Sequence, residues 1–182
     1  MIIILEGPDN AGKSTLGNKL SVDLGIDLVH PGGPPKNIVE VINRCQEQSN
    51  VFNMSTAIDF MFDRITCISD QIYRGQPEFD NVFIAYQNHL RSCKNVIVIY
   101  CRPSDDRVKN FDDHVQKDHE DAAVVQHAKD NVDRIVYEYD SLMATFQADQ
   151  HFNVIQYNFE ADQDGRGYWE MLNLLKSRRD VK

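Results

Sequence analysis

The chain alternates between short, unbroken apolar runs and longer segments in which apolar residues return every three to four positions. Ile2-Ile3-Ile4-Leu5 and Val96-Ile97-Val98-Ile99-Tyr100-Cys101 are runs of the first kind. Branched residues without polar alternation predict strands covered on both faces. Leu16, Leu20 and Leu24 recur at helical spacing, and Gly25 stands where a helix would stop. Residues 27–30 read as a short second strand running into Pro31-Gly32-Gly33-Pro34-Pro35, a stretch that cannot be helical. Ile38, Val41, Ile42 and Cys45 predict a helix over 36–47, residues 57–63 a third strand ending in a carboxylate, and 66–74 and 82–91 two short helices. Residues 105–127 are dense in Asp, Lys, His and Gln and predict exposed helix and mobile loop. Val132, Ile135, Val136, Tyr139, Leu142 and Met143 carry a helix over 131–146; residues 152–159 read as a fifth strand and 168–175 as the last helix. Trp169, Tyr137 and Tyr139 read as core. Strands alternating with helices predict an α/β fold, a parallel sheet of five strands with helices on both faces, in a single domain over 1–182. Ligands bind such sheets at the carboxyl ends of the strands. The turn after the first strand, the Pro-Gly-Gly loop, Asp63-Arg64 and Arg102 all fall there.

The turn after the first strand is Gly7-Pro8-Asp9-Asn10-Ala11-Gly12-Lys13-Ser14, a full match to the phosphate-binding pattern G-x-x-x-x-G-K-[ST]. Its context is right as well as its letters, with a strand before it and a helix after it. A chance glycine turn is the plainer reading, and the flanking elements oppose it. The glycines let backbone N–H groups turn inward around phosphate oxygens, and the helix N-terminus adds a favourable dipole. Asn10, Ala11, Gly12, Lys13, Ser14 and Thr15 are therefore the candidate ATP-binding residues, with Lys13 reaching the β- and γ-phosphates and Ser14 ligating Mg²⁺. The expected architecture is a three-layer P-loop NTPase fold with a helical lid segment at about 105–127.

Composition narrows the picture. Hydrophobic residues make up 42% of the 182 positions, which excludes a disordered chain. No apolar run approaches the roughly 20 residues of a bilayer span, and no basic-then-apolar leader precedes the first strand, so a cytoplasmic protein is expected. Cys45, Cys67, Cys93 and Cys101 show no C-x-x-C spacing and predict free thiols. The formal charge of −9, without a visible basic stripe, weighs against nucleic acid as a partner and leaves small-molecule nucleotides.

The loop alone does not name a reaction. The single Asn-Lys pair, Asn18-Lys19, is followed by Leu20-Ser21, so no guanine motif N-K-x-D is present, and Asp63 is followed by Arg64 rather than by a second acid. Residues 6–15 (E-G-P-D-N-A-G-K-S-T) resemble the thymidylate kinase loop E-G-x-D-G-x-G-K-[ST]-T. Pro31-Gly32-Gly33 follows the second strand where that family carries R-E-P-G-G, and Asp63-Arg64 with Ser69, Tyr73 and Gly75 is similar to its D-R-Y…S…A-Y-Q-G stretch. Phage and viral deoxynucleotide kinases are similar particularly at Asp63-Arg64, Ile68-Ser69 and Tyr73 and at Tyr100-Cys101-Arg102-Pro103. The resemblance implies ATP-dependent phosphorylation of a deoxynucleoside 5′-monophosphate, a homodimer, and a lid that supplies cations. The chain departs from the family at Val29-His30 in place of Arg-Glu, at Asn10 in place of Gly, and at Ile65 and Arg74 in place of Tyr and Gln. These departures touch base specificity more than the reaction.

Each residue has a plainer alternative. Asp63 can hold Mg²⁺ and Arg64 an acceptor phosphate, or the two can brace the loop as ordinary ion-pair partners. Asp9, inside a loop that receives a triphosphate, should face away from it toward the acceptor sugar; an Asx turn is the alternative. Arg102 could supply catalytic charge, whereas Lys109 and Lys117 fit ordinary surface charges better. His114, His119 and His127 have no metal-ligand spacing. Ser69, Tyr73 and Arg74 are candidates for the acceptor pocket, with core packing the alternative for Tyr73. A deoxynucleoside kinase, a kinase of a modified base in DNA, and a nucleotide-binding module without catalysis remain open. The first usually needs a carboxylate base after the second strand, where His30 stands here.

Overall fold

The structure, a computed structural model, describes residues 1–30, 32–54, 58–76, 79–93, 95–110, 122–149 and 152–179. The sequence expectations for Pro31, His114, Lys117 and His119, and for the middle of the 105–127 segment as a lid, lie outside the described residues.

The strands are β1 (Ile2–Glu6), β2 (Leu28–Val29), β3 (Phe60–Asp63), β4 (Val96–Cys101) and β5 (Asn153–Tyr157). All four pairings are parallel, in the order β2-β3-β1-β4-β5. The helices are α1 (Lys13–Leu24), α2 (Ile38–Met54), α3 (Thr66–Arg74), α4 (Asp80–Ser92), α5 (Asp105–Lys109), α6 (Ala122–Asp130), α7 (Val132–Ala148) and α8 (Arg166–Arg179). Period-two alternation on the central strands divides the core in two. Ile2 and Ile4 of β1, with Val96, Val98 and Tyr100 of β4, face a cluster closed by α2, α3, α4 and α7. Ile3 and Leu5, with Ile97, Ile99 and Cys101, face a second cluster closed by α1 and α8. Each fully buried Ile or Leu contributes roughly 1.5–3 kcal/mol, so the runs that look featureless in sequence hold the three layers together.

Several boundaries differ from the sequence reading. The second helix extends to Met54 rather than ending near 47, because Gln48 and Ser49 are buried polar residues that interrupt the apolar period without interrupting the helix. Its start is capped by Asn37, whose side chain accepts from the Glu40 N–H at 3.0 Å. The third strand begins at Phe60; Ile58 is exposed, and its N–H still bonds back to Met54 O. The fifth strand ends at Tyr157, and Phe159 leaves it to lie over the glycine loop. Tyr139 is fully buried as expected, but Tyr137 (73% exposed) and Trp169 (55%) are surface residues. Gly25 ends α1 in the left-handed region at φ 62°, donating its N–H to Ser21 O. None of the helices, among the described residues, is long and apolar enough to cross a membrane.

Candidate active site

The carboxyl edge of the sheet gathers the chemistry-bearing residues. The glycine loop leaves β1 and passes under β4 so closely that a Cβ on Gly7 would stand 2.4 Å from Cys101 O; with φ at 143° as well, only glycine fits. Gly12, at φ 77°, starts α1 with the Phe159 ring 3.0 Å from its Cβ direction, so that ring walls one side of the loop. Asn10, where the resembled family has glycine, adopts φ 61°, which Asn tolerates, and donates its amide to Asn110 O at 3.1 Å.

Lys13 is buried at the first turn of α1, with its ammonium donating to Pro8 O at 2.5 Å. Burial and the nearby Arg64 charge lower its pKa to about 8, partly opposed by Asp9 and Asp63. The Ser14 hydroxyl donates to Asp63 Oδ2 at 2.9 Å, joining the loop to the end of β3. His30 Nδ1 lies 3.3 Å from the same carboxylate oxygen. Ala11 is buried in the loop floor and Thr15 is exposed.

Arg64 is held from several sides. Its backbone is left-handed at φ 73°, with its N–H on Leu5 O at 2.9 Å. Its Nη2 donates to Asp9 Oδ1 at 2.6 Å, Tyr73 Oη at 2.8 Å and Gly7 O at 3.3 Å. Its guanidinium lies 4.9 Å from the centre of the Tyr73 ring. Its Nε is buried with no hydrogen-bond partner among the described residues. Burial alone would raise the Asp9 pKa, but the Arg64 and Lys13 charges outweigh it and pull the carboxyl down to about 2. Asp9 is thus turned toward Arg64 and Tyr73.

The other expected residues are placed as follows. The Ser69 hydroxyl donates to Ile65 O at 2.9 Å within α3. Arg74 donates to Pro35 O and pairs with Asp70 at 3.4 Å, bracing the loop after β2. Arg102 makes a two-bond pair with Asp140 of α7, at 2.9 and 3.1 Å, and a third bond to Asp105 at 2.6 Å. Lys109 pairs with Asp133, as fits a surface charge. His127 reaches Tyr73 O at 3.0 Å, beside Arg134, which bonds the same carbonyl at 3.2 Å and Ile72 O at 2.7 Å. No group of three or more His, Cys, Asp or Glu side chains that could hold a metal occurs among the described residues.

Sequence reasoning missed Glu6. It ends β1 fully buried, accepts from the Ile65 N–H at 2.8 Å and from the Tyr139 hydroxyl at 3.1 Å, and lies close enough to Arg64 and Lys13 to feel both charges. Its letter was visible inside the loop motif, but its partners lie 59 and 133 residues away.

No protein-family model matches the sequence, and no curated protein matches it. Among solved structures, the chain is similar to the YorR protein from Bacillus subtilis in complex with phosphorylated GDP, with a TM-score of 0.68 at 16% identity over 99% of this chain and 98% of that one. It is similar to deoxyadenosine kinase from M. mycoides with bound dATP, at 0.63 and 18% over 96% and 99%. Thymidylate kinase from Candida albicans follows at 0.59 and 16%, over 96% and 92%. What the chain shares with these proteins is the fold: a parallel α/β sheet of the P-loop kinase type, covered along almost its whole length.

Proposed function

We propose that the chain is an ATP-dependent kinase that phosphorylates a deoxynucleoside 5′-monophosphate to the diphosphate. The observation that carries this reading is the position of Arg64. A guanidinium bonded to Gly7 O and Asp9 of the glycine loop is a cation at the edge of the proposed nucleotide site, which supports a role in gripping an acceptor phosphate. The acceptor's phosphate oxygen attacks the γ-phosphorus, the bond from that phosphorus to the β–γ bridging oxygen breaks, and ADP leaves. The attacking oxygen is already anionic, so no protein base is required. Transfer then depends on positioning and on charge stabilisation. Lys13 holds the β- and γ-phosphates, Arg64 the acceptor phosphate, and Arg102 adds charge if it exchanges Asp105 for phosphate. Asp9 and Tyr73, joined through Arg64, face the acceptor sugar, while Ser69 and Arg74 shape the acceptor pocket.

Magnesium fits the donor set, since the Ser14 hydroxyl and Asp63 carboxylate are hard oxygens 2.9 Å apart and this ion keeps most of its positions for water and phosphate. Those two residues would hold it, and when bound it supplies neutralisation of the triphosphate charge.

A second reading, transfer to a sugar hydroxyl of a deoxynucleoside, is favoured by His30. Its Nδ1 lies 3.3 Å from Asp63 Oδ2, which leaves Nε2 as a candidate to accept the hydroxyl proton in place of the usual carboxylate. ADP release measured across a panel of nucleosides and their 5′-monophosphates separates the two. Turnover confined to monophosphates supports the first reading, turnover confined to nucleosides the second, and no turnover with either class overturns both.

A further inference from the structure

We propose that Glu6 is the positioning residue for Arg64: its buried carboxylate fixes the stretch of backbone that carries the acceptor-gripping guanidinium. The inference rests on the kinase reading above and extends it to a residue that touches neither substrate.

Arg64 is one of only three non-glycine residues with positive φ among the described residues. A left-handed conformation is unfavourable for a side chain carrying a Cβ and persists only where the surroundings impose it. Here two consecutive residues of β1 impose it. Leu5 O accepts from the Arg64 N–H at 2.9 Å, and Glu6 Oε1 accepts from the Ile65 N–H at 2.8 Å, so the chain is pinned on both sides of the strained residue. Ile65 and Thr66 open α3, and their N–H groups have no partner of their own on the helix. Glu6 takes the first, and Gln48 of α2 takes the second at 3.0 Å. The other Glu6 oxygen is tied to the Tyr139 hydroxyl of α7 at 3.1 Å. The Tyr139 ring also lies edge-on to Tyr73, 6.3 Å between centres, and Tyr73 bonds Arg64. One buried carboxylate therefore supports the Arg64 backbone directly, and the far side of its guanidinium through two tyrosines.

Reach, not charge, is what this role requires. Glu6→Gln keeps an acceptor oxygen at the same distance from the Ile65 N–H, and the Tyr139 hydroxyl can turn to accept from the new amide. Glu6→Asp keeps the charge and withdraws the oxygen by one methylene. The test measures KM for the acceptor and for ATP in both variants, alone and in an Arg64→Ala background. Glu6→Asp should raise the acceptor KM about five- to tenfold with the ATP KM unchanged, Glu6→Gln should stay within about threefold, and Glu6→Asp should add less than about twofold to Arg64→Ala. Glu6→Gln worse than Glu6→Asp would overturn the proposal in favour of a charge role. Independent, multiplying effects of Glu6→Asp and Arg64→Ala, or equal rises in both KM values, would reduce Glu6 to a structural residue. Failure of the kinase reading shows separately, as a wild-type protein that turns over neither nucleosides nor their 5′-monophosphates.

Discussion

Two arginines leave the carboxyl edge of the sheet, Arg64 after β3 and Arg102 after β4, and both are bound to carboxylates, yet they are held in opposite ways. The partner of Arg64 is Asp9, a member of the phosphate loop itself, and its Nε has no partner among the described residues. Arg102 is paired with Asp140 on α7 and Asp105 on α5, carboxylates 44% and 56% exposed that belong to the outer helices. The Tyr100 hydroxyl donates to the same Asp140 at 2.6 Å, and this hydrogen-bonded pairing holds the Arg102 pKa above its ordinary value. Arg64 is strained and keeps an unused donor; Arg102 is relaxed and its donors are committed. An arginine whose anion sits on the glycine loop ties its own position to that loop. One with dedicated carboxylates on two helices mainly fixes those helices to the sheet.

Lys13→Ala sets the scale on which the two arginines are compared. It should lower kcat by at least ~10²-fold, in line with losing one group aimed at transition-state charge, while the fold survives because the ammonium's hydrogen bond, among the described residues, is to a loop carbonyl, Pro8 O. Single-turnover rates with a saturating acceptor check this, and retention of a tenth of the activity would remove the loop from catalysis.

Arg64→Ala should come next. Loss of a charge-assisted grip worth roughly 1.5–3 kcal/mol raises the acceptor KM about 10- to 100-fold and lowers kcat, with ATP affinity little changed. Arg102→Ala should lower kcat by less than about tenfold and instead destabilise the protein. Its partners are partly exposed, so the loss is discounted to about 1 kcal/mol, or ~2–4 °C in Tm for a chain of this length. Steady-state kinetics and thermal denaturation on both variants decide the matter. If Arg102→Ala costs more turnover than Arg64→Ala, the contrast is reversed and Arg102 is the catalytic cation.

The contrast also shows what a sequence can reveal. The glycine turn, the two central strands and the helix stop at Gly25 were legible because each is a local pattern whose cause lies within a few residues. Asp63-Arg64 was legible from its place at the end of an apolar run. The commitments of the arginines were not, since Asp140 is 38 residues from Arg102 and Asp9 is 55 from Arg64. Gln48 broke the apolar period of α2 because its side chain answers to α3, accepting from the Thr66 N–H, and Ser49 is a second buried polar residue beside it. Glu6 was hidden for the same reason. A carboxylate next to a glycine loop reads as part of the motif until its two distant partners are in view.

Asp9 tests whether the Arg64 side faces the acceptor. Its carboxylate is pulled to a pKa of about 2 and is ionised at any working pH. Acceptors lacking the 3′-hydroxyl should react about 10-fold less efficiently than their parents, and Asp9→Ala should slow the parent and narrow that gap. Equal kcat/KM for a 3′-deoxy acceptor and its parent in the wild type would make Asp9 a partner of Arg64 alone.

The last effect touches no activity: a pH-dependent change of stability on the Arg64 side, where a buried acid lies behind the arginine. Burial raises the Glu6 pKa to about 7 from its ordinary 4.5, against the opposing pull of the Ile65 N–H, the Arg64 and Lys13 charges and the Tyr139 hydroxyl. A carboxyl whose folded pKa is raised gives stability that is fully present below about 4.5 and is lost as pH rises through 7. Glu6→Gln cannot ionise, so the Tm of the variant minus that of the wild type should grow as pH rises from 5 to 8, by the equivalent of roughly 1–3 kcal/mol. Taking the difference cancels Asp70, whose pKa burial lifts to about 6, and Lys13, which gains stability in the opposite direction as pH rises past 8. Thermal denaturation of the two proteins without nucleotide, in one buffer series, reads the difference directly. A gap that stays constant across the series would mean that Glu6 stays ionised throughout, its burial fully compensated by Arg64 and Lys13. The side of the site that holds Arg64 would then be no more exposed to pH than the clamp around Arg102.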